Sequence, residues 1–231
     1  ESIRHGVTKL SHLHFAATEG ARQRVIRMGE PPERVWNVGC PATDLLLRVQ
    51  LSGMDWATYS EIPLSKPLLV LQHPVTTEYS EAMQQRQEVL SGVHRARGEL
   101  CVVEIGPNHD AGTMPMVAAS TRHIALEFTE FVRLMAHASC MVGNSSAGIR
   151  ESCYFGTPVV NVGTRQNRRE RGSNVLDARC DSDAIYQAIQ QQLVHGRYPV
   201  ERIYGDGHSG ERIVDILATV DLPSVQKSIT Y

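Results

Sequence analysis

From residue 67 onward, short apolar runs alternate with segments of helical periodicity, and this alternation restricts the possible folds more than any other feature. Parallel strands that are buried on both faces read as continuous apolar runs, whereas strands with one solvated face alternate between apolar and polar residues. A series of such runs separated by helices favours a mostly parallel sheet covered on both faces. The predicted fold class is therefore α/β, with a doubly wound parallel sheet.

The boundaries of the predicted elements follow from the apolar runs and from helix caps. The predicted strands of the sheet are 68–72, 99–105, 122–125, 140–142 and 159–162. The predicted helices are 78–97, 114–119, 127–138, 146–154, 181–194 and 210–220, with Asp181 and Ser209 as N-caps of the last two. The earlier chain is predicted to be helix 2–12, strand 14–17, helix 19–28, strand 34–38 and, after a break at Gly39-Cys40-Pro41, helix 42–49. That break predicts a domain boundary near residue 41.

The amino-acid composition and net charge reduce the number of functional classes that fit the chain. The chain has 231 residues with 42% hydrophobic content, which is enough for a sizeable core. A formal net charge of −2 gives no global electrostatic reason to bind nucleic acid or an anionic membrane. The five cysteines have no C-x-x-C spacing, which favours reduced thiols in a cytoplasmic protein. No apolar run approaches the roughly 20 residues of a membrane span, and no ligand spacing predicts a metal.

Polar residues follow four of the predicted strands directly. Ligands of doubly wound sheets bind beyond the carboxyl ends of the strands, so these positions are the candidate site. Taken alone, each residue has a simpler explanation, since a histidine can bond to backbone, asparagine forms turns and serine caps helices. Their occurrence at one sheet edge favours a site. The candidates are His73, Asn108, Ser145, Ser146 and Arg165.

The turn Asn144-Ser145-Ser146 is predicted to open a helix, and it indicates the kind of ligand. Backbone N–H groups at a helix start have no partners within the helix, and the helix dipole is positive there. Phosphate groups bind at such positions. Glu151, about a turn and a half further on, is the sixth candidate. The sequence therefore predicts an anionic ligand, in particular a phosphorylated metabolite.

Six motifs of the chain resemble motifs of the UDP-N-acetylglucosamine 2-epimerase family and occur in the same order as in that family. The resemblance is in particular to the hydrolysing branch of sialic acid and related nonulosonate synthesis. The six motifs are Leu71-Gln-His-Pro-Val-Thr-Thr77, Pro107-Asn-His-Asp-Ala-Gly112, Gly143-Asn-Ser-Ser-Ala-Gly-Ile-Arg-Glu151, Phe155-Gly-Thr-Pro158, Val162-Gly-Thr-Arg-Gln166 and Ile203-Tyr-Gly-Asp-Gly207. The resemblance implies a GT-B-like architecture of two Rossmann-like domains. Residues 1–40 would then end a truncated N-terminal domain, and residues 41–231 would form the C-terminal, UDP-binding domain.

The resemblance also implies roles for the six candidates. His73 and Asn108 would contact the nucleotide sugar, Ser145 and Ser146 the diphosphate, Glu151 the ribose hydroxyls, and Arg165 the nucleotide side. The implied reaction is anti elimination of UDP to a glycal, followed by hydration to N-acetylmannosamine, with no cofactor. His73 would be the catalytic residue that stabilises the leaving group. The acid and base carboxylates of the family lie in the N-terminal domain, so we expect this chain to bind UDP without turnover.

Three other functions fit the same residues. A non-hydrolysing epimerase would retain UDP on the product, a GT-B glycosyltransferase would pass the sugar to an acceptor, and a catalytically inactive fragment would only bind nucleotide. Heavy water separates elimination from transfer, since only elimination places deuterium at C2 of a free sugar. The resemblance further implies a homodimer or homotetramer.

Overall fold

The computed structural model describes residues 2–49, 51, 66–106, 126–221, 224, 226 and 227. Contacts divide the chain into two compact units, one formed by residues 1–48 and 202–231 and the other by residues 49–201. The helix after Pro41 groups with the first unit, whereas the sequence suggested a break before it. The division into domains 1–40 and 41–231, which concerns a longer protein, stays a prediction. Among the described residues, no helix has both the length and the apolar character needed to cross a membrane.

The first unit contains a two-stranded parallel sheet and flanking helices. Its strands are β1 (His14–Ala16) and β2 (Val35–Asn37), and its helices are α1 (Ser2–Leu10), α2 (Glu19–Arg27), α3 (Pro41–Arg48) and α8 (Ser209–Thr219), with a 3-10 turn at Pro32–Arg34. The start of α8 differs from the prediction that Ser209 caps it. The carboxylate of Asp44 instead accepts the N–H groups of Ser209 and Gly210, at 3.1 and 2.7 Å. A carboxylate satisfies free N–H groups at a helix start better than a hydroxyl does.

The second unit is a five-stranded parallel sheet in the order β4-β3-β5-β6-β7. Its strands are β3 (Leu68–Leu71), β4 (Val102–Glu104), β5 (Cys140–Gly143), β6 (Val159–Val162) and β7 (Val175–Ala178). Its helices are α4 (Ala82–Ala96), α5 (Phe128–His137), α6 (Ala147–Arg150) and α7 (Ser182–His195), with 3-10 turns at Thr76–Glu81 and Ser152–Phe155. The predicted parallel α/β sheet is confirmed. Strand β7 was not predicted, and the predicted elements 114–119 and 122–125 lie outside the described residues.

Helices cover both faces of this sheet. On one face, apolar side chains of α4 and α7 form a buried core with alternate residues of β3, β5 and β6. The two helices approach closely at Gly92, where a Cβ atom would lie 2.7 Å from Cγ2 of Ile185. On the other face, Gly148 of α6 lies against Val159, and a Cβ there would be 3.0 Å from Cγ1. The carboxyl ends of the strands are left open between these layers, where the candidate residues were predicted.

Candidate functional site

The side chain of Asn144 joins the carboxyl ends of β3 and β5. Asn144 is 1% exposed. Its Oδ1 accepts the backbone N–H of His73 at 2.8 Å, and its Nδ2 donates to the carbonyl oxygen of His73 at 2.8 Å. A side-chain amide carries both a donor and an acceptor, so it can pair with the main chain of another residue much as a neighbouring strand does. The main chain of His73 is therefore fixed to the turn that carries the two serines.

Gly143 allows this close approach of the two strand ends. Its φ of +130° lies in the region that favours glycine. A Cβ atom at this position would lie 2.2 Å from the carbonyl oxygen of Leu71, which also accepts the N–H of Asn144 at 3.1 Å. The turn after β5 therefore requires glycine for steric reasons.

The loop after β6 reaches the same point. The carbonyl oxygen of Asn144 accepts hydrogen bonds from Nη1 of Arg165 at 3.2 Å and from Nε2 of Gln166 at 2.7 Å. The loop is held in turn by Arg171, which donates to the carbonyl oxygen of Gln166 at 2.8 Å and pairs with the carboxylate of Asp177. Arg171 therefore anchors the loop to β7. The structure brings Arg165 and the main chain of His73 together at Asn144.

Ser145 and Ser146 follow Asn144 directly, but the helix they open is shorter than predicted. The predicted helix 146–154 is divided into the four-residue α6 and a 3-10 turn. The hydroxyl of Ser145 accepts the N–H of Ala147 at 3.3 Å, and Ser146 makes no side-chain cap. Within the described part of the chain, the N–H groups of Ser145 and Ser146 have no acceptor. A single turn has little dipole, so these two N–H groups are the features suited to an anion.

Glu151 ends α6 with a partly buried carboxyl group. Its Oε2 is buried and has no hydrogen-bond partner among the described residues. Burial raises the pKa of Glu151, and the nearby charges of Arg150 and Arg169 oppose this shift without cancelling it. A solvated surface carboxylate would have neither property. Glu151 is therefore an unsatisfied acceptor suited to a ligand that donates hydrogen bonds.

Asn108, the remaining candidate, lies outside the described residues. The strand before it is described: β4 pairs with β3, and the N–H of Ile105 donates to the carbonyl oxygen of Val70 at 2.9 Å. The chain thus leaves β4 at the same sheet edge as the other candidates. The role of Asn108 stays a prediction.

A cavity of about 470 Å³ opens at this edge, on the side of α4. Asn144 lines it, but the five described candidates His73, Ser145, Ser146, Glu151 and Arg165 do not. The candidate residues and the cavity are therefore neighbouring regions of one sheet edge. Among the described residues, no three His, Cys, Asp or Glu side chains are grouped so that they could hold a metal ion.

Sequence reasoning missed the two residues that organise the site, Asn144 and Gln166. Gln166 is 1% exposed although it lies in a polar loop. Asn144 directly follows β5, and Gln166 lies four residues beyond the end of β6. The available signal was their place in the Gly-Asn-Ser-Ser and Gly-Thr-Arg-Gln segments, but an asparagine in a turn is ordinarily interpreted as a turn former.

The sequence pattern of one family, described as UDP-N-acetylglucosamine 2-epimerase, matches residues 1–218. The chain belongs to this family. It is 36% identical, over 97% of its length, to a Legionella pneumophila protein named UDP-N,N'-diacetylbacillosamine 2-epimerase (hydrolyzing), and covers 62% of that protein. It is 32% identical, over 94% of its length, to a Neisseria meningitidis UDP-N-acetylglucosamine 2-epimerase, and covers 60% of it. The chain thus spans about three fifths of these relatives.

A solved structure extends the family likeness to the fold. The UDP-GlcNAc 2-epimerase of Methanocaldococcus jannaschii, determined in complex with UDP-GlcNAc and UDP, superposes with a TM-score of 0.72 at 17% identity. The superposition covers 90% of this chain and 61% of that one. The predicted fold class, the Rossmann-like sheet of a GT-B-like epimerase, is confirmed.

Proposed function

We propose that this chain is the UDP-binding part of a hydrolysing UDP-N-acetylglucosamine 2-epimerase, converting UDP-N-acetylglucosamine and water to N-acetylmannosamine and UDP. The observation that carries the proposal is the junction at Asn144, which holds Arg165 and the main chain of His73 beside the free N–H groups of Ser145 and Ser146. Membership of the epimerase family and the names of its relatives support the nucleotide-sugar substrate.

The diphosphate is proposed to bind at the turn after β5. The N–H groups and hydroxyls of Ser145 and Ser146 supply donors, and the guanidinium of Arg165 supplies positive charge. Charge-assisted hydrogen bonds to phosphate oxygens are about twice as strong as neutral ones. Glu151 is proposed to accept hydrogen bonds from the ribose hydroxyls, which would satisfy its unpartnered Oε2. Asn108 is proposed to contact the sugar.

The proposed reaction begins by elimination. A base removes the proton at C2 of the sugar while the bond between C1 and the diphosphate oxygen breaks, leaving a glycal and UDP. Water then adds at C1 and a proton returns to C2 on the opposite face, so the product is the epimer. Negative charge develops on the departing diphosphate, and donors already aimed at it lower the barrier. His73 is proposed to donate to that oxygen, whereas the C2 acid and base are assigned to the part of the relatives that this chain does not span.

Two measurements test the proposal. Calorimetry should detect UDP binding to the chain, and Ser145→Ala with Ser146→Ala should weaken it about a hundredfold, since each of the two lost charge-assisted hydrogen bonds is worth about 1.5 kcal/mol. Ser173→Ala, at an exposed position in the same unit, is the control. Equal UDP affinity in the double variant and the control would remove the assigned phosphate site.

The second measurement uses the protein at the full length of its relatives. In heavy water, the released sugar should be free N-acetylmannosamine with deuterium at C2, and His73→Ala should lower kcat without abolishing UDP binding. A product that still carries UDP would identify a non-hydrolysing epimerase, and sugar transfer with C2 unlabelled would identify a glycosyltransferase. The cytoplasmic location and the homodimer or homotetramer are proposed with this function.

A further inference from the structure

Acidic side chains outnumber basic ones among the described residues that line the 470 Å³ cavity beside the candidate site. It lies at the carboxyl ends of β3, β5, β6 and β7 and is bordered by the first turns of α4. Among the described residues, four acids line it, namely Glu78, Glu81, Glu88 and Asp177, and Arg179 is the one base. The described lining residues therefore carry a net charge of −3, and Arg171 pairs with Asp177 from outside the lining. A diphosphate is unsuited to such a lining, because like charges at short range repel.

Two buried glutamines add acceptors that have no donor. Gln72 is 4% exposed and Gln85 is 8% exposed, both line the cavity, and the Oε1 atom of each lacks a hydrogen-bond partner among the described residues. The orientation of Gln85 is fixed, because its Nε2 donates to the carboxylate of Glu78 at 2.7 Å and a carboxylate can only accept. Buried amide oxygens are rarely left unpaired without a reason. The two unpaired oxygens are evidence that does not depend on the charge of the lining, and they also indicate a ligand that donates hydrogen bonds.

The negative potential of the cavity is visible at Cys180, another lining residue. Burial is the main cause that raises the pKa of its thiol to about 11, and Glu88, Glu78, Asp181 and Glu81 raise it further. A thiol that is this difficult to ionise is a poor nucleophile, so Cys180 is an unreactive part of the cavity wall.

We infer that this cavity binds a small organic ammonium compound, separately from the proposed UDP site. An ammonium group supplies positive charge and three donors, which match the acids and the two unpaired amide oxygens. A neutral sugar would satisfy the oxygens but leave the charge uncompensated. A divalent metal is not favoured, since Glu78 accepts from Thr164 and Gln85 and Glu88 accepts from the N–H of Ser182, so the carboxylates are spread around the wall.

Glucosamine and N-acetylglucosamine form a matched pair of probes for this proposal. They share a sugar ring and differ in that only glucosamine carries an ammonium group. Calorimetry on the full chain should give an affinity for glucosamine about tenfold higher than for N-acetylglucosamine, as expected for one charge in a partly screened acidic site. Sodium chloride should weaken the binding of glucosamine. Equal affinities, or no saturable binding of glucosamine, would overturn the proposal.

Two double variants distinguish the effect of charges that line the cavity from the effect of charges elsewhere on the protein. Glu81→Gln with Glu88→Gln removes two charges from the wall while keeping an acceptor for Ser182, and should lower the glucosamine affinity about tenfold. Glu99→Gln with Glu127→Gln removes two exposed charges that do not line the cavity, and should leave the affinity unchanged. An equal loss in both would contradict the proposal.

The proposal for the cavity and the proposal for the UDP site can be tested independently. Ser145→Ala with Ser146→Ala should leave the binding of glucosamine unchanged whatever it does to UDP. Loss of glucosamine binding in this variant would place the ammonium ligand in the UDP site and overturn the inference.

Discussion

Glu30 in the first unit and Glu151 in the second are both carboxylates with buried oxygens, yet their surroundings are opposite. Glu30 is 2% exposed and is contacted by the ammonium groups of Lys9 at 3.1 Å and Lys227 at 2.7 Å, and by the imidazole of His14 at 3.0 Å. Burial lowers the pKa of His14, so the two lysines supply the positive charge. Burial alone would raise its pKa, but hydrogen bonds from Lys227, Lys9 and His14 outweigh burial and hold the pKa below its usual value. Glu151 has an unpartnered oxygen, and burial raises its pKa.

The difference separates a structural carboxylate from one suited to a ligand. A buried charge that stabilises a fold is paired and hydrogen-bonded, because otherwise it carries the full cost of leaving water. Glu30 meets that requirement within its own unit. Glu151 does not, and a pair of ribose hydroxyls would supply what the protein lacks. The fold therefore tolerates a cost at Glu151 that the proposed ribose contact would remove.

The largest expected effect is on stability at Glu30. Glu30→Gln should lower the free energy of unfolding of the first unit by about 3 kcal/mol, because it leaves the partly buried ammonium groups of Lys9 and Lys227 without their carboxylate. Urea unfolding can be followed by the fluorescence of Trp36 in β2, in a Trp56→Phe background that leaves one tryptophan. The matched control is Glu151→Gln, which should change the stability by less than about 1 kcal/mol, because its buried oxygen has no hydrogen-bond partner among the described residues. Equal losses in the two variants would abolish the distinction.

The second effect concerns Asn144, which places Glu151 and its neighbours relative to β3. Asn144→Ala should cost the second unit about 2 kcal/mol, since the N–H and carbonyl groups of His73 both lose a buried partner. It should also weaken UDP binding. Asn167→Ala, at an exposed position in the loop after β6, should do neither. Amide hydrogen exchange after β3 is the direct measurement, and unchanged protection of the His73 amide would show that Asn144 does not fix this residue.

The sequence predicted at which edge of the sheet the candidate residues lie, but it did not predict the contacts that they make. Apolar runs located β3, β5 and β6, and the rule for parallel sheets then placed the polar residues after them at one edge. Strand β7 was missed because it is a partly exposed edge strand in which Val175 and Leu176 are the only large apolar residues. The side-chain bonds of Asn144 to His73 join residues 71 positions apart, and no local pattern encodes that pairing. The ion cluster of Glu30 was missed for the same reason, since Lys227 is distant in the chain.

The third effect tests the assigned ligand of Glu151. Glu151→Gln should weaken UDP binding about tenfold, because a hydrogen bond to a charged acceptor is worth about 1.5 to 3 kcal/mol. For 2'-deoxy-UDP the same substitution should cost less, since one of the two hydroxyl donors is already absent. Calorimetry with both nucleotides in both proteins gives the coupling energy. An identical loss for the two nucleotides would place the ribose away from Glu151.

The smallest expected effect is on pH dependence, because the pKa values of Glu30 and Glu151 are shifted in opposite directions. Glu30 has a lowered pKa, so its contribution to stability is present above the unfolded value of 4.5 and is lost as pH falls through the folded pKa. Glu151 has a raised pKa, so lowering the pH through that pKa neutralises its carboxyl and relieves its burial cost, but replaces the charged acceptor proposed for the ribose with a weaker, neutral one. From the raised pKa of Glu151 down to about 4.5, we therefore expect the affinity for UDP-N-acetylglucosamine to fall severalfold while the first unit keeps its stability.

UDP-N-acetylglucosamine is the suitable probe for this measurement because it has no terminal phosphate that titrates in this range. Glu151→Gln should make the affinity independent of pH over the same range. A fall of the same size in that variant would assign the titration to another group and leave the buried oxygen of Glu151 without a role in binding.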